Sequence, residues 1–378
     1  MPDAQQARAQ LDEEIASGSQ EILRGTPGGP DSVGSLLIGL PGAQAGCTAT
    51  LIGPNTALTA AHCFDNYISV DLCFDATNSL FVAGPCSRPA QVDEVRIHPS
   101  RDIAVLRLSS LFNAPTPLPI SITAPSSADP FTMVGYGEVL PNVVSLERRQ
   151  GNEFVSSVSA DEWNSFFWNQ SGVLPGDSGG PALRSDAVIG VASAVLLYDL
   201  NPTFYGYSFY ERVDTTASWI VQNASGRVWF NETQNVNQPQ DVNLDGLVDQ
   251  TDFLLILQFV AQGLGPFPQP NQTGLLYDID SDGNLSRLDA TTFGYTNIIN
   301  SCDVNADGRV TTLDALNVMN EISRNGSRAL SGPNTIGYFV DVSGDGMISP
   351  SDSLRVINYL SGSTTSCTVF SGTLPPLP

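Results

Sequence analysis

Lysine is absent from this 378-residue chain: all sixteen basic residues are arginine, set against 39 acidic residues for a net charge of −23. So acidic a chain is repelled by phosphate backbones and anionic lipid, which excludes nucleic acid or an acidic membrane as its main partner. No apolar run is long enough to span a bilayer, and residues 1–21 are too polar for a secretory signal peptide. Histidine is scarce, with only His62 and His98. Cysteine is limited to six residues, an even number that suits an oxidising compartment, so export is inferred from the cysteines alone. A hydrophobic content of 41% with 8% aromatics excludes a disordered chain, and the length suits two or three domains with cores of their own.

Among what is present, the stretch Gly176-Asp177-Ser178-Gly179-Gly180-Pro181 stands out. Glycines around a serine let the backbone turn tightly, so that the hydroxyl projects and backbone N–H groups converge beside it. By itself the hexapeptide also fits an ordinary surface turn. A serine nucleophile needs a base and a group that orients the base. His62 lies in Thr59-Ala60-Ala61-His62-Cys63, and Asp102 opens the apolar run Ile103-Ala104-Val105-Leu106, which reads as a buried strand. His98 is the competing base, but it precedes Pro99 at what reads as an exposed strand end. Short apolar runs broken by Gly, Pro and Asn, such as Leu36-Leu37-Ile38-Gly39 and Leu51-Ile52-Gly53-Pro54-Asn55, suggest a β sandwich or barrel.

With His, Asp and Ser in this order and in these contexts, residues 22–222 resemble a trypsin/chymotrypsin-like serine endopeptidase. The resemblance implies a mainly β domain of two six-stranded antiparallel barrels with a cleft between them. It implies His62 and Asp102 from the first barrel, Ser178 from the second, and an oxyanion hole at the N–H groups of Gly176 and Ser178. Residues 218–221 would form the closing helix. Cys47–Cys63 corresponds to a family disulfide; Cys73–Cys86 and Cys302–Cys367 are the other expected pairs. Residues 1–21 read as a pro-segment or a frayed terminus. In the family a freed amine, here that of Ile22, pairs with the aspartate before the serine, here Asp177; an ordinary first strand is the other reading. Arg24 departs from the family's start, and Leu174-Pro175 stands where a cysteine is usual. Carried over by alignment, Gly172, Ser193, Val195 and Ser208 would form the substrate pocket, favouring small apolar side chains because Gly172 carries no charge and Val195 narrows the mouth.

Residues 223–240 read as a linker. Four twelve-residue loops then follow, with oxygen side chains at loop positions 1, 3, 5, 9 and 12 and glycine at position 6. Such loops suit calcium: glycine makes the bend, position 7 offers its carbonyl, and hard oxygens surround the ion. The expected ligands are Asp241, Asn243, Asp245, Leu247, Asp249 and Asp252; Asp278, Asp280, Asp282, Asn284, Ser286 and Asp289; Asp303, Asn305, Asp307, Arg309, Thr311 and Asp314; and Asp341, Ser343, Asp345, Met347, Ser349 and Asp352. Aspartate at position 12 and one helix per loop resemble dockerin repeats. The loop starts suggest two copies of a two-loop unit, 241–301 and 302–370, before a tail at 371–378. The resemblance implies up to four Ca2+ and a cohesin-type partner, although the loops also suit a plain folded spacer. The residues at positions 10 and 11 differ between copies: Gln250-Thr251, Arg287-Leu288, Thr312-Leu313 and Pro350-Ser351. The expected protein is a secreted or cell-surface serine endopeptidase acting on proteins or peptides; the other reading is an inactive protease-fold scaffold whose function lies in the calcium module.

Overall fold

The computed structural model describes residues 25–77, 85–111, 114–140, 143–145, 147–168, 171–199, 204–261, 270–272, 275–280, 282–332, 334–363 and 367. The expected pro-segment, Ile22 and the C-terminal tail lie outside these residues. The chain divides into two compact units, one of residues 1–231 with 270–274 and one of residues 232–269 with 275–378.

The first unit holds two closed barrels. One is built from β2 (Val33–Leu40), β3 (Ala43–Gly53), β4 (Thr56–Thr59), β5 (Ser69–Cys73), β6 (Pro89–Ile97) and β7 (Ala104–Leu111), in the order β2-β3-β4-β7-β6-β5. The other is built from β8 (Pro130–Gly135), β11 (Arg149–Val158), β12 (Glu162–Trp168), β13 (Pro181–Arg184), β14 (Ala187–Asp199) and β15 (Phe204–Arg212). Its sheet runs β11-β12-β15-β14-β13-β8, and pairing of β8 with β11 closes it. The short β1 (Thr26–Pro27) adds to β11, and β9 (Glu138–Leu140) pairs with β10 (Val143–Val144). All strand pairs are antiparallel.

Alternation explains these strands. In β12 the residues Trp163, Ser165 and Phe167 are buried, while Glu162, Phe166 and Trp168 are exposed, the period of two that one buried face requires. The inward Trp163 stacks on Tyr210 with ring centroids 4.3 Å apart, and Phe131 meets both edge-on. Burying each such ring stabilises the barrel by roughly 1.5–3 kcal/mol. The closing helix α1 covers Ala217–Asn223.

The stretch read as a linker is not one over its first part. Trp229 N–H donates to Ile52 C=O, Asn231 N–H donates to Ile120 C=O, and Phe230 exchanges backbone hydrogen bonds with Asn271. Val228 and Phe230 are buried, so residues up to 231 belong to the barrel unit; two apolar side chains in a polar stretch are enough to anchor it. From Glu232 onward the chain joins the second unit, where Thr233 Oγ1 donates to Asp278 and Asn235 Nδ2 donates to Asp241 C=O.

The second unit carries α2 (Gln250–Ala261), α3 (Arg287–Thr291), α4 (Thr312–Asn325), α5 (Pro350–Leu360) and a small ladder of β16 (Arg328–Ala329) with β17 (Met347–Ile348). The two sequence copies do not form separate bodies here. One core joins Phe253, Tyr277 and Leu285 of the first copy to Ala306 and Phe339 of the second. A backbone hydrogen bond from Asp341 N–H to Tyr295 C=O laces the copies further. The helix α2 is buried on nearly every side, which leaves it a core element.

Candidate active site

The strand β4 ends at Thr59, and a 3-10 turn at Ala61–Phe64 delivers His62; the Cys47–Cys63 disulfide ties that turn to β3. Asp102 stands just before β7. Its carboxylate is gripped from three directions: His62 N–H donates to Oδ1 at 2.8 Å, His62 Nδ1 lies 2.7 Å from Oδ2, and Ser193 Oγ donates to Oδ2 at 2.6 Å. The Asp102 hydrogen bond raises the His62 pKa, against the opposing effect of burial. For Asp102 burial is the largest influence and pushes upward, but the hydrogen bonds from His62 and Ser193 outweigh it and leave the pKa below the ordinary carboxylate value. A carboxylate that stays ionised beside a raised imidazole is the pairing that general-base chemistry needs.

Ser178 lies in the turn between β12 and β13. Its C=O accepts from Thr48 N–H at 2.8 Å, and Thr48 Oγ1 donates to Gly176 C=O, so β3 seats the serine loop directly. Gly179 has φ +85°, and a Cβ there would stand 2.1 Å from Thr59 Oγ1 and 2.2 Å from Thr48 O; only glycine lets the loop sit this close to the strand that leads to His62. Among the described residues, neither the Gly176 nor the Ser178 N–H has an acceptor, whereas those of Asp177, Gly179 and Gly180 do. Ser178 and Ser193 line one cavity of about 210 Å³, with walls from Val173, Leu174, Pro175, Ala192, Ala194 and Val195.

Of the four residues expected to form the pocket, Ser193 and Val195 reach this cavity and two do not. Gly172 is buried against the Phe167 ring, and Ser208 is wholly buried, its Oγ accepting from Val173 N–H at 3.2 Å. Ser208 is thereby tied to the back of the wall residue Val173, and neither residue lines the cavity. His98 is a loop staple: its Nδ1 accepts from Ser100 and Arg101 N–H, and its ring packs edge-on to Trp219. Burial lowers its pKa.

Asp177 is 2% exposed, and its carboxylate accepts from Gly137 and Leu174 N–H. With no ion pair among the described residues, burial pushes its pKa up to about 7. Sequence reasoning missed Glu211, 8% exposed on β15. Its carboxylate accepts from Asp102 N–H at 3.2 Å and from Arg101 Nε at 2.7 Å, and Arg101 also reaches Asp161 at 2.8 Å. The second barrel thereby holds the Asp102 turn of the first. A lone glutamate beside the core residue Tyr210 was the only sequence signal.

In the second unit the four loops repeat one geometry. The carboxylate at position 1 accepts from the glycine N–H at position 6 in every loop, as Asp241 does from Gly246 and Asp303 from Gly308. The carboxylate at position 12 accepts from positions 2 or 3 and from position 9, as Asp314 does from Asn305 and Thr311. At position 9, Ser286, Thr311 and Ser349 are helix N-caps. Ligand oxygens of Asp278, Asp280 and Asp289 lie within 4.8 Å of one another. Burial and neighbouring carboxylates push Asp289 and Asp303 up to about 7 and raise Asp241, Asp252 and Asp280. Such converging oxygens with raised pKa values fit a hard divalent cation. Arg287, at position 10 of its loop, is committed internally: Nε donates to Gly337 C=O and the guanidinium stacks 4.3 Å over Tyr338.

Residues 28–220 match the trypsin family model. The chain belongs to the trypsin family. Residues 239–293 and 301–361 match the model of the dockerin type I domain, on either side of the join between the two loop pairs. Dockerin type I domains bind calcium in general, and with the trypsin-family domain they make this a protease-type chain with an attachment module. Among solved structures it is similar to neuropsin, a serine protease expressed in the limbic system of mouse brain, with 20% identity over 52% of this chain and 97% of that one, at a TM-score of 0.42. No curated protein matches it.

Proposed function

We propose that the barrel unit is a serine endopeptidase in which Ser178 attacks the scissile carbonyl. His62 takes the serine proton and returns it to the leaving amine, while Asp102 fixes the tautomer and stabilises the imidazolium. The unpaired N–H groups of Gly176 and Ser178 are suited to the oxyanion; one such donor contributes about 3–4 kcal/mol to the transition state. The observation that carries this reading is the three-sided grip on Asp102, because Ser193, one of its partners, lines the same cavity as Ser178. Water then releases the acyl group by the reverse proton path. A free amine at Ile22 reaching Asp177 would supply the cation that this buried carboxylate lacks among the described residues, so cleavage before Ile22 is the proposed activating step.

Four calcium ions would be held by the side-chain oxygens at positions 1, 3, 5, 9 and 12 of each loop, with the carbonyl at position 7. Bound calcium would neutralise the packed carboxylates of the attachment unit. A cohesin-type partner is proposed to engage that unit, and the disulfides and calcium loops favour work outside the cell. The test is hydrolysis of a mixed peptide library by the chain cleaved before Ile22, beside its Ser178→Ala and His62→Ala variants. Activity that survives Ser178→Ala removes the serine from its role.

A further inference from the structure

Phe167 is the last inward residue of β12, wholly buried, and it packs against Leu174 and Val195, both of which line the Ser178 cavity. Two glycines lie against its ring, although at Gly206 a Cβ would first meet Leu196 C=O at 2.1 Å. A Cβ on Gly172 would stand 2.8 Å from two of its ring carbons and 2.9 Å from a third, and a Cβ on Gly206, its cross-strand partner on β15, would stand 3.0 Å from its Cζ. Neither glycine reaches the cavity. The ring therefore lies between the wall residues Leu174 and Val195 and the two glycines. What remains open is about 210 Å³, lined mainly by small and aliphatic side chains with no charged group.

We propose that Phe167 sets the depth of the substrate pocket and so restricts the residue before the scissile bond to a small apolar one, such as alanine or valine. The inference rests on the protease reading for its catalytic meaning, but the pocket itself is a matter of volume. A large side chain entering from the cleft meets Leu174 and Val195, and behind them the Phe167 ring, which a close-packed core does not let yield. Removing the ring leaves an apolar void behind Leu174 and Val195, into which those two side chains can retreat, so that the cavity they line deepens toward the size of an aromatic or branched side chain.

The experiment uses the chain cleaved before Ile22 and its Phe167→Ala and Phe167→Leu variants, each also in a Ser178→Ala background. Product peptides ending in Ala, Val, Leu or Phe are titrated against the Ser178→Ala proteins by calorimetry, and hydrolysis of matching substrates is measured with Ser178 intact. The parent is expected to prefer Ala and Val, and Phe167→Ala to shift the Phe-to-Ala ratio of binding and of kcat/KM by about ten- to a hundredfold, the range that pocket shape commands. Phe167→Leu gives a smaller shift in the same direction and covers the case in which the alanine variant does not fold. An unchanged ratio in folded variants overturns the inference while parental hydrolysis leaves the protease reading standing. A binding ratio that moves in a parent that hydrolyses nothing sustains the inference and removes the protease reading.

Discussion

Glu211 allows a demanding test, because it touches no substrate and yet two elements of the site hang from it. Its side chain and that of Arg101 are 10% and 11% exposed, so Glu211→Ala leaves a nearly buried guanidinium whose remaining carboxylate, Asp161, is 71% exposed. Breaking a buried pair from one side costs about 3–5 kcal/mol, and the orphaned Asp102 N–H adds about 1–3 kcal/mol if water does not reach it. A turn freed by as little as about 1 Å lowers the rate roughly a hundredfold. We expect kcat/KM to fall on that order with KM little changed. Loosening Asp102 also lets the raised His62 pKa fall toward its ordinary 6.5. The imidazole must be neutral to act as base, so the acid limb of the pH–rate profile moves to lower pH. Glu211→Gln keeps an acceptor for the Asp102 N–H and should retain more of the rate than of the stability. The assays are urea unfolding and kcat/KM from pH 5 to 9. A Glu211→Ala enzyme with the parental profile and kcat would refute the reasoning.

Two further expectations concern carboxyls. Glu153, buried inside the second barrel, is pushed from 4.5 up to about 8, so the unfolded chain gives up this proton first and stability is lost as pH rises across that window. The loss is on the order of 4 kcal/mol; Glu153→Gln should flatten it in denaturation curves measured at pH 5 and pH 8, and identical slopes would contradict the assignment. In the calcium loops the raised Asp289 and Asp303 make the metal-free unit less stable as pH climbs from 3.8 toward 7. EDTA should therefore lower the melting temperature of the second unit far more at pH 8 than at pH 5, by circular dichroism on the full chain, and calcium should restore it with release of protons. Equal melting with EDTA and with calcium at pH 8 speaks against metal in these loops.

Much of this was legible in the sequence because it is local. The loop glycines and aspartates lie within twelve residues of one another, so their spacing alone specifies the geometry that Asp241 and Gly246 or Asp303 and Gly308 adopt. The glycines around Ser178 and the small residues before His62 likewise encode their turns. What escaped the sequence depends on distant pairing. Glu211 meets Asp102 across 109 residues, and Ser193 meets it across 91. Phe167 carries a signal in retrospect, since the alternation of Trp163, Ser165 and Phe167 turns it inward, but only the cross-strand partner Gly206 reveals where its ring goes. The apparent linker failed for a similar reason: Val228 and Phe230 have no periodic company, and their burial is decided by Ile52 and Ile120 far upstream.

The central claim is that Ser178 is a nucleophile activated by His62. Reaction of the chain cleaved before Ile22 with a fluorophosphonate, followed by peptide mapping in the mass spectrometer, tests it most directly. A single adduct is expected on Ser178 at neutral pH, absent from Ser178→Ala and formed far more slowly in His62→Ala, with circular dichroism showing both variants folded. An unlabelled Ser178 in the folded, N-terminally processed chain, or labelling that proceeds equally fast without His62, would contradict the account.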